Sequence, residues 1–535
     1  MYMKKLYLFN IGNSDVQYSS EPVANSILKG DSAKRYNARI FGEMIWENYD
    51  QFKDDASIEK AVSDGLFFPI VSGTLAKELP AEGSKIFLFV TNQKDKHPQD
   101  TVYYGMIIRR YLEFSLKGLI ASQNIEMIEI NQNPSDFDIM KDFYSDILAK
   151  IAKENESYDF VFASLTGGTQ AQNTMLLICG LDIFTSKFRT LYTSMRNSAA
   201  HELSISKNLI KDGVKKQIAL LIRQSEYHAA LEILSQNRQL FEIYLKSAAN
   251  AALPESYYVL QNAFEYAHSR QVFDFKKALS SINACLEYSC INTDYFNELR
   301  NQVIRLQEND VLCIAELKEN AKHLFNAGHY VDFLGRVFRF LEAVCDYVLT
   351  KTVNECRKYI HNGKVDIYNT DKGKDIIDYI KANCDYNVSD NGISKYLDNP
   401  LRISLLTYID RHTKNIRLSD YMYVLFILSD LRNKTIMSHG FSGVSSDEIE
   451  KCIKQKHNEL QCKPDTNLLL KRREIFEKMP VKEVKGVKVP DICRFLDVVW
   501  DKFTEYTGIK GKVSFNTDLF YRELPVTLED MLKNL

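Results

Sequence analysis

In the stretch SDLRNKTIMSHG, residues 429–440, an arginine, an asparagine and a histidine stand together at the end of an apolar run. Arg432 offers a fixed fork of N–H donors that fits phosphate oxygens, and His439 exchanges protons near neutral pH. On a continuous helix, residues seven apart lie on nearly one face, two turns from each other, so both side chains can converge on one phosphate. With Asn433 beside them, the set suits cleavage of RNA, which carries its own nucleophile in the 2′-hydroxyl. One group then manages protons while another stabilises the charged phosphorane. The chain has no H-E-x-x-H, no carboxylate cluster at ligand spacing and no nucleophile elbow, so a route without metal is the expected one. The same residues have a plainer reading, a surface cation and a histidine capping a helix end, and composition does not choose between the two.

A second set of polar residues lies in the first 200 positions, each member following a short β-rich run. IGNSDV places Gly12, Asn13, Ser14 and Asp15 after the run 4–12. VTNQKDKHPQDT places Thr91, Asn92 and Gln93 after the run 85–93, with Asp100 and Thr101 opening the next helix. SLTGGTQAQN places Thr166, Gly167, Gly168, Thr169 and Gln170 between a buried strand and an apolar helix. Paired glycines let the chain turn sharply and bare its N–H groups, and Thr169 can cap the helix while its hydroxyl faces a ligand. The result is an anion or nucleotide cradle, or else only a tight turn with a threonine cap. It lacks the lysine of a P-loop and the third glycine of a dinucleotide fingerprint, so neither class is met.

Five such runs (4–12, 85–93, 125–133, 158–168 and 188–194) alternate with helical segments. Strands apolar on both faces and separated by helices predict a parallel sheet covered on each side, a Rossmann-like doubly wound domain over residues 1–205. In such sheets ligands bind beyond the carboxyl ends of the strands, where these three loops lie. Beyond about residue 205 the pattern is helical, and the expected fold class is α/β plus all-α. A split near 320 separates a helical connector, 206–320, from an all-α domain, 321–535. Residues 361–393 read as a loop rich in Gly, Asn and Asp, and 478–490 as a loop or small hairpin. One helix, QSEYHAALEILSQ, has a tetratricopeptide-like pattern, but no period recurs three times.

The chain's 535 residues carry 68 Lys and Arg against 70 Asp and Glu, a net charge of −2, so any polyanion must meet a local basic site. Ten scattered cysteines include no C-x-x-C, which argues against structural zinc and a disulfide framework. The start of the chain reads as a first strand and not as a signal peptide, and no apolar run approaches the ~20 residues of a membrane span. The expected location is cytoplasmic, with no membrane association.

Taken together, GNSD, TNQ and TGGTQ at the strand ends resemble the CARF domain (CRISPR-associated Rossmann fold), and RNKTIMSH before Gly440 resembles the R-x(4-6)-H motif of HEPN ribonucleases. Their order, with a helical connector between, is similar to the stand-alone CARF-HEPN ribonucleases of type III-A CRISPR systems, the Csm-type accessory effectors. The resemblance implies a cytoplasmic homodimer serving antiviral defence. Paired CARF domains would bind cyclic oligoadenylate, cyclic tetra- or hexa-adenylate, as allosteric activator, through Gly12 to Asp15, Thr91 to Gln93 and Thr166 to Gln170. Paired HEPN domains would cut single-stranded RNA with Arg432 on the scissile phosphate, His439 handling the proton or charge and Asn433 orienting both. No metal or other cofactor is implied, and the products would end in a 2′,3′-cyclic phosphate. The link to the type III interference complex would be functional, without stable binding. Some relatives also degrade the activator in the CARF pocket, a task for which Thr169, Asn13 or Asn92 could serve.

Two other functions compete: a nucleotide-responsive regulator, and a helical interaction scaffold using helix pairs in 207–320. The first would need a basic recognition helix with a wing-like hairpin, which the sequence does not display. The second would use aromatic-rich helices such as FEIYLKSAANAALPESYYVLQNAFEYAH, which also suit an ordinary core.

Overall fold

A computed structural model describes the chain except for residues 1, 2, 20, 28–36, 156, 195–198, 245–250, 371, 372, 413–416, 437–439, 485, 513 and 514. It divides into two compact units, Met1–Lys216 with Asn237–Glu242, and Gln217–Gln236 with Ile243–Leu535.

The first unit is built on six strands: β1 (Lys5–Asn10), β2 (Lys85–Thr91), β3 (Ile125–Ile130), β4 (Phe160–Ser164), β5 (Phe188–Thr193) and β6 (Ala200–Leu203). Their order is β3-β2-β1-β4-β5-β6, parallel throughout except for β6, which runs antiparallel to β5. Helices α1 (Ala38–Asn48), α2 (Val102–Ser115), α3 (Phe137–Glu154) and α4 (Gln170–Phe184) cover it, and α5 (Ser204–Arg223) contains the boundary between the units. The period of two along each strand divides the apolar residues between two cores. Tyr7, Phe9, Leu88 and Val90 face Phe41 and Ile45 of α1 and Ile107 and Leu112 of α2. Leu6, Leu8, Phe87 and Phe89 face Tyr144 and Leu148 of α3 and Leu176 of α4. This is the doubly wound sheet expected from the sequence, with β6 as an additional antiparallel edge.

The second unit is mainly helical. Its central helix, α6 (Tyr330–Lys351), is strongly one-sided, burying Phe333, Leu334, Val337, Phe338, Leu341 and Val344. Gly328, with φ +83°, turns the chain between the preceding helix, Asp310–Asn326, and α6. Against α6 pack α7 (Leu418–Phe426) and the short α8 (Ser429–Lys434), with α9 (Asn467–Glu477) and α10 (Ile492–Tyr506) completing the core. The segment expected to be a loop at 361–393 is different. Ile360–His361, Lys364–Tyr368 and Gly392–Tyr396 pair as a three-stranded antiparallel sheet, with helix Lys374–Asn383 between the last two. Val365, Ile367 and Ile393 bury one face of that sheet, an alternation hidden among the turn residues. Val481–Val484 pairs antiparallel with Val487–Pro490. The aromatic helix Glu255–Gln271 keeps Tyr257, Phe264 and Tyr266 in the interior, so these rings serve the core and not a docking face. No helix among the described residues is long and apolar enough to cross a membrane. All ten cysteines are unpaired.

Candidate functional site

β1 lies between β2 and β4, where strand order reverses, so the loops leaving these three strands converge at one end of the sheet. They enclose a cavity of about 440 Å³, within the range of small-molecule sites. Gly12, Asn13, Ser14, Asp15, Thr91, Gln93, Thr166, Gly167, Gly168 and Thr169 all line it, whereas Asn92 and Gln170 do not. Sequence reading passed over His97, Gln99, Asn133, Ser135 and Gln172, which line it too. Asn133 and Ser135 follow β3, a fourth strand end whose polar residues were the available signal.

The glycines are explained by one loop resting on another. Gly168 has φ +75°, and a side chain at Gly12 would run into the amide of Gly168. Thr169 caps α4 in a reciprocal box with Gln172: its hydroxyl accepts from Gln172 N, and Gln172 Oε1 accepts from Thr169 N at 2.7 Å. That hydroxyl also donates to the carbonyl of Pro134, so it ties the loop after β3 to the start of α4. Thr91 and Thr101 brace each other, each N–H donating at 3.0 Å to the other's hydroxyl oxygen. Buried Asp100 accepts from Gln93 N at 3.0 Å and Gln93 Nε2 at 3.1 Å, and pairs with Arg39 Nη1 at 2.9 Å. Asn92 is consumed outside the cavity, taking a bond from Arg39 and donating to Glu129. Asn13 Nδ2 donates to Gln99 Oε1 at 2.7 Å, tying the first loop to the second.

Asp15 is fully buried. Its Oδ2 accepts from Gly12 N at 2.7 Å, and its Oδ1 finds no donor among the described residues. Burial pushes its carboxyl up from 3.8 to about 7, against the opposing pull of the Gly12 bond. No lysine or arginine lines the cavity among the described residues. Backbone N–H groups of the glycine turn and the helix starts at Val102 and Gln170 supply positive potential there.

Arg432 sits in the last turn of α8 and lays its guanidinium over Phe338 of α6, 5.1 Å from the ring centroid. It makes no ion pair among the described residues. Asn433 is exposed beside it. The helix ends at Lys434, since Thr435 is extended and its hydroxyl turns back to Arg432 O at 2.7 Å. A turn at Ile427–Leu428 and the stop at Thr435 leave α8 only six residues long, so the helix that carries Arg432 ends at Lys434. His439 lies outside the described residues. Its neighbour Gly440 is pinned to the helix end, its N–H donating to Thr435 O at 3.1 Å, and a side chain there would collide with the carbonyl of Lys434. Ile436 and Phe441 on either side are 74% and 99% exposed. No group of three or more His, Cys, Asp or Glu side chains among the described residues is arranged to hold a metal ion.

No protein-family model matches the chain, and no curated protein matches its sequence. Among solved structures it is similar to Enterococcus italicus Csm6 bound to cyclic hexa-2′-fluoro-hexa-dAMP. That match has a TM-score of 0.55 at 12% identity and covers 99% of this chain and 100% of the other. At that identity the likeness is one of fold, and the chain has a Csm6-like fold: a Rossmann-like sheet domain followed by helices.

Proposed function

We propose that this chain is a cyclic-oligoadenylate-activated endoribonuclease of type III CRISPR defence. Residues 1–205 would form a CARF sensing domain, 206–320 a connector and 321–535 a HEPN nuclease domain. The observation that carries the reading is the convergence of three polar strand ends on one cavity in a fold that, along its whole length, matches a protein solved with a cyclic adenylate analogue. Backbone N–H groups around Gly167 and Gly168 would receive the phosphates of cyclic tetra- or hexa-adenylate, with Gly12 letting the first loop pack close, and Asn13, Ser14 and Gln93 would meet its sugars and bases.

Cleavage would use Arg432, Asn433 and His439 without a metal ion. Arg432, held over Phe338 and without an ion pair among the described residues, keeps its donors for the phosphate as charge builds on the phosphorane. His439 would manage the proton or charge while the RNA 2′-hydroxyl attacks the neighbouring phosphorus, expelling the 5′-oxygen and leaving a 2′,3′-cyclic phosphate. A homodimer completes this site. Exposed Ile436 and Phe441 beside the motif, and exposed Ile178 on the apolar helix α4, are surfaces a second copy would cover.

The test adds cyclic tetra- and hexa-adenylate separately to the purified protein and a fluorogenic single-stranded RNA in the presence of chelator. One ring should switch on cleavage, and Arg432→Ala and His439→Ala should each lower the rate by about 100-fold or more with activator binding intact. Equal rates in wild type and both variants would refute the reading. Activator cleavage in the same cavity has less geometric support, because Thr169 and Asn92 are already engaged and Asn13 is held by Gln99. Recovering intact ring after long incubation with His439→Ala protein would remove that second activity.

A further inference from the structure

The second unit holds another cavity, of about 270 Å³, formed by the start of α7, helix α9 with Lys478 after it, and helix α10. One wall is aromatic: Tyr421 lies nearly parallel to buried Phe495, with ring centroids 6.2 Å apart and planes at 23°. Around it stand Arg417, Lys471, Lys478 and Lys502 against two carboxylates, Asp420 and Glu474. The lining is thus positive in a chain whose net charge is −2. Glu474 draws in Lys478 at 2.6 Å, whereas Lys471 is 3.7 Å away from it and exposed.

The floor is unusual. Asp420 is 1% exposed, and its Oδ1 accepts from Arg472 Nε at 3.3 Å. Its Oδ2 lies 3.2 Å from Arg417 Nε, close enough for attraction between the charges but misaligned, and neither atom makes a hydrogen bond among the described residues. A buried acceptor and a buried donor are thus left unmet side by side at the cavity wall, in a protein that satisfies most such groups. A nucleobase offers both missing functions, an amino or ring N–H for Asp420 and a ring nitrogen or carbonyl oxygen for Arg417. Its ring extends the Tyr421–Phe495 stack while its phosphate meets the lysine rim, the pairing of platform and cations that holds single strands.

We propose that this cavity binds one nucleotide of the RNA strand away from the cleaved bond, so that it sets affinity for longer RNA and not the chemical step. The assignment of RNA rests on the ribonuclease reading above, and the chain itself connects the two places. α7, which carries Tyr421, leads through a two-residue turn into α8, which carries Arg432.

The test uses the full-length protein with activator, comparing wild type, Tyr421→Ala and the double variant Lys471→Glu/Lys502→Glu, with folding checked by thermal unfolding. For a long fluorogenic RNA both variants should raise KM by about tenfold with kcat within about twofold, and a trinucleotide substrate should be cut as by wild type. The double variant should also flatten the salt dependence of KM. Unchanged KM for the long RNA, or a loss confined to kcat, would overturn the proposal. So would tight binding of labelled AMP to wild type together with unchanged RNA KM, which would mark a site for free nucleotides. If wild type cuts no RNA at all, the ribonuclease reading fails by itself. The subsite is then judged by anisotropy with labelled single-stranded RNA: weaker binding in the variants upholds it and equal binding removes it.

Discussion

At the scale of single residues, Asp15 joins the candidate activator cavity to pH. Its folded pKa of about 7 exceeds the unperturbed 3.8, so between those values the folded chain holds a proton that the unfolded chain has released. Proton binding then favours the folded state, and stability falls as pH rises through about 7, after which the cost of the buried charge is fully expressed. Asp15→Asn keeps an acceptor for Gly12 N–H and removes that charge. The variant should gain up to about 4 kcal/mol over wild type near pH 8 and little near pH 4, read as the gap between their unfolding midpoints. A gap independent of pH would show that Asp15 is not the group responsible. An anionic ligand nearby raises the same pKa further, so activator affinity should weaken with rising pH and do so less in the variant.

At the scale of elements, the strand-end loops are a single packed object. Gly12, Gly167 and Gly168 leave no room for side chains, and Gly168 also needs positive φ. Gly168→Val should abolish activation by cyclic oligoadenylate while a low basal RNA cleavage persists, measured by titrating activator against rate. Full activation of the variant would move the ligand elsewhere. In the helical unit, Arg270 and Glu316 form a buried pair with bonds of 2.9 and 3.0 Å, closed by Tyr266, Gln302 and Tyr521, with Phe520 beneath the guanidinium. Removing one partner strands the other charge, so Arg270→Ala should cost about 3–5 kcal/mol in chemical denaturation. The five parallel strands were legible because β1, β2 and β4 are apolar on both faces and all five alternate with helical segments. The helix stop at Thr435 was not, since a periodic apolar pattern says nothing about where a carbonyl is recaptured by a threonine hydroxyl.

At the scale of the whole molecule, the proposed activity would depend on a second copy. α4 reads MLLICGL through its middle, and Ile178 is 50% exposed where a monomer would favour a polar residue. Ile178→Glu should weaken self-association, seen by sedimentation as monomer at concentrations where wild type is dimeric. RNA cleavage per chain should fall with it, and should fall on dilution of wild type. An unchanged sedimentation profile would assign that face to something else.

Composition and strand-helix alternation alone determined the α/β-then-helical class, the polar strand ends and the pairing of Arg432 with Asn433, because these depend on local residue type and period. Only the tertiary structure decided which of those residues line the first cavity, that Thr169 and Asn92 hydrogen-bond across loops, that the helix carrying Arg432 ends at Lys434, and that Arg417, Tyr421 and Lys471 surround a second cavity. Each of those outcomes depends on which distant segments meet: hydrogen-bond partners come from across the fold, and no spacing along the chain encodes them.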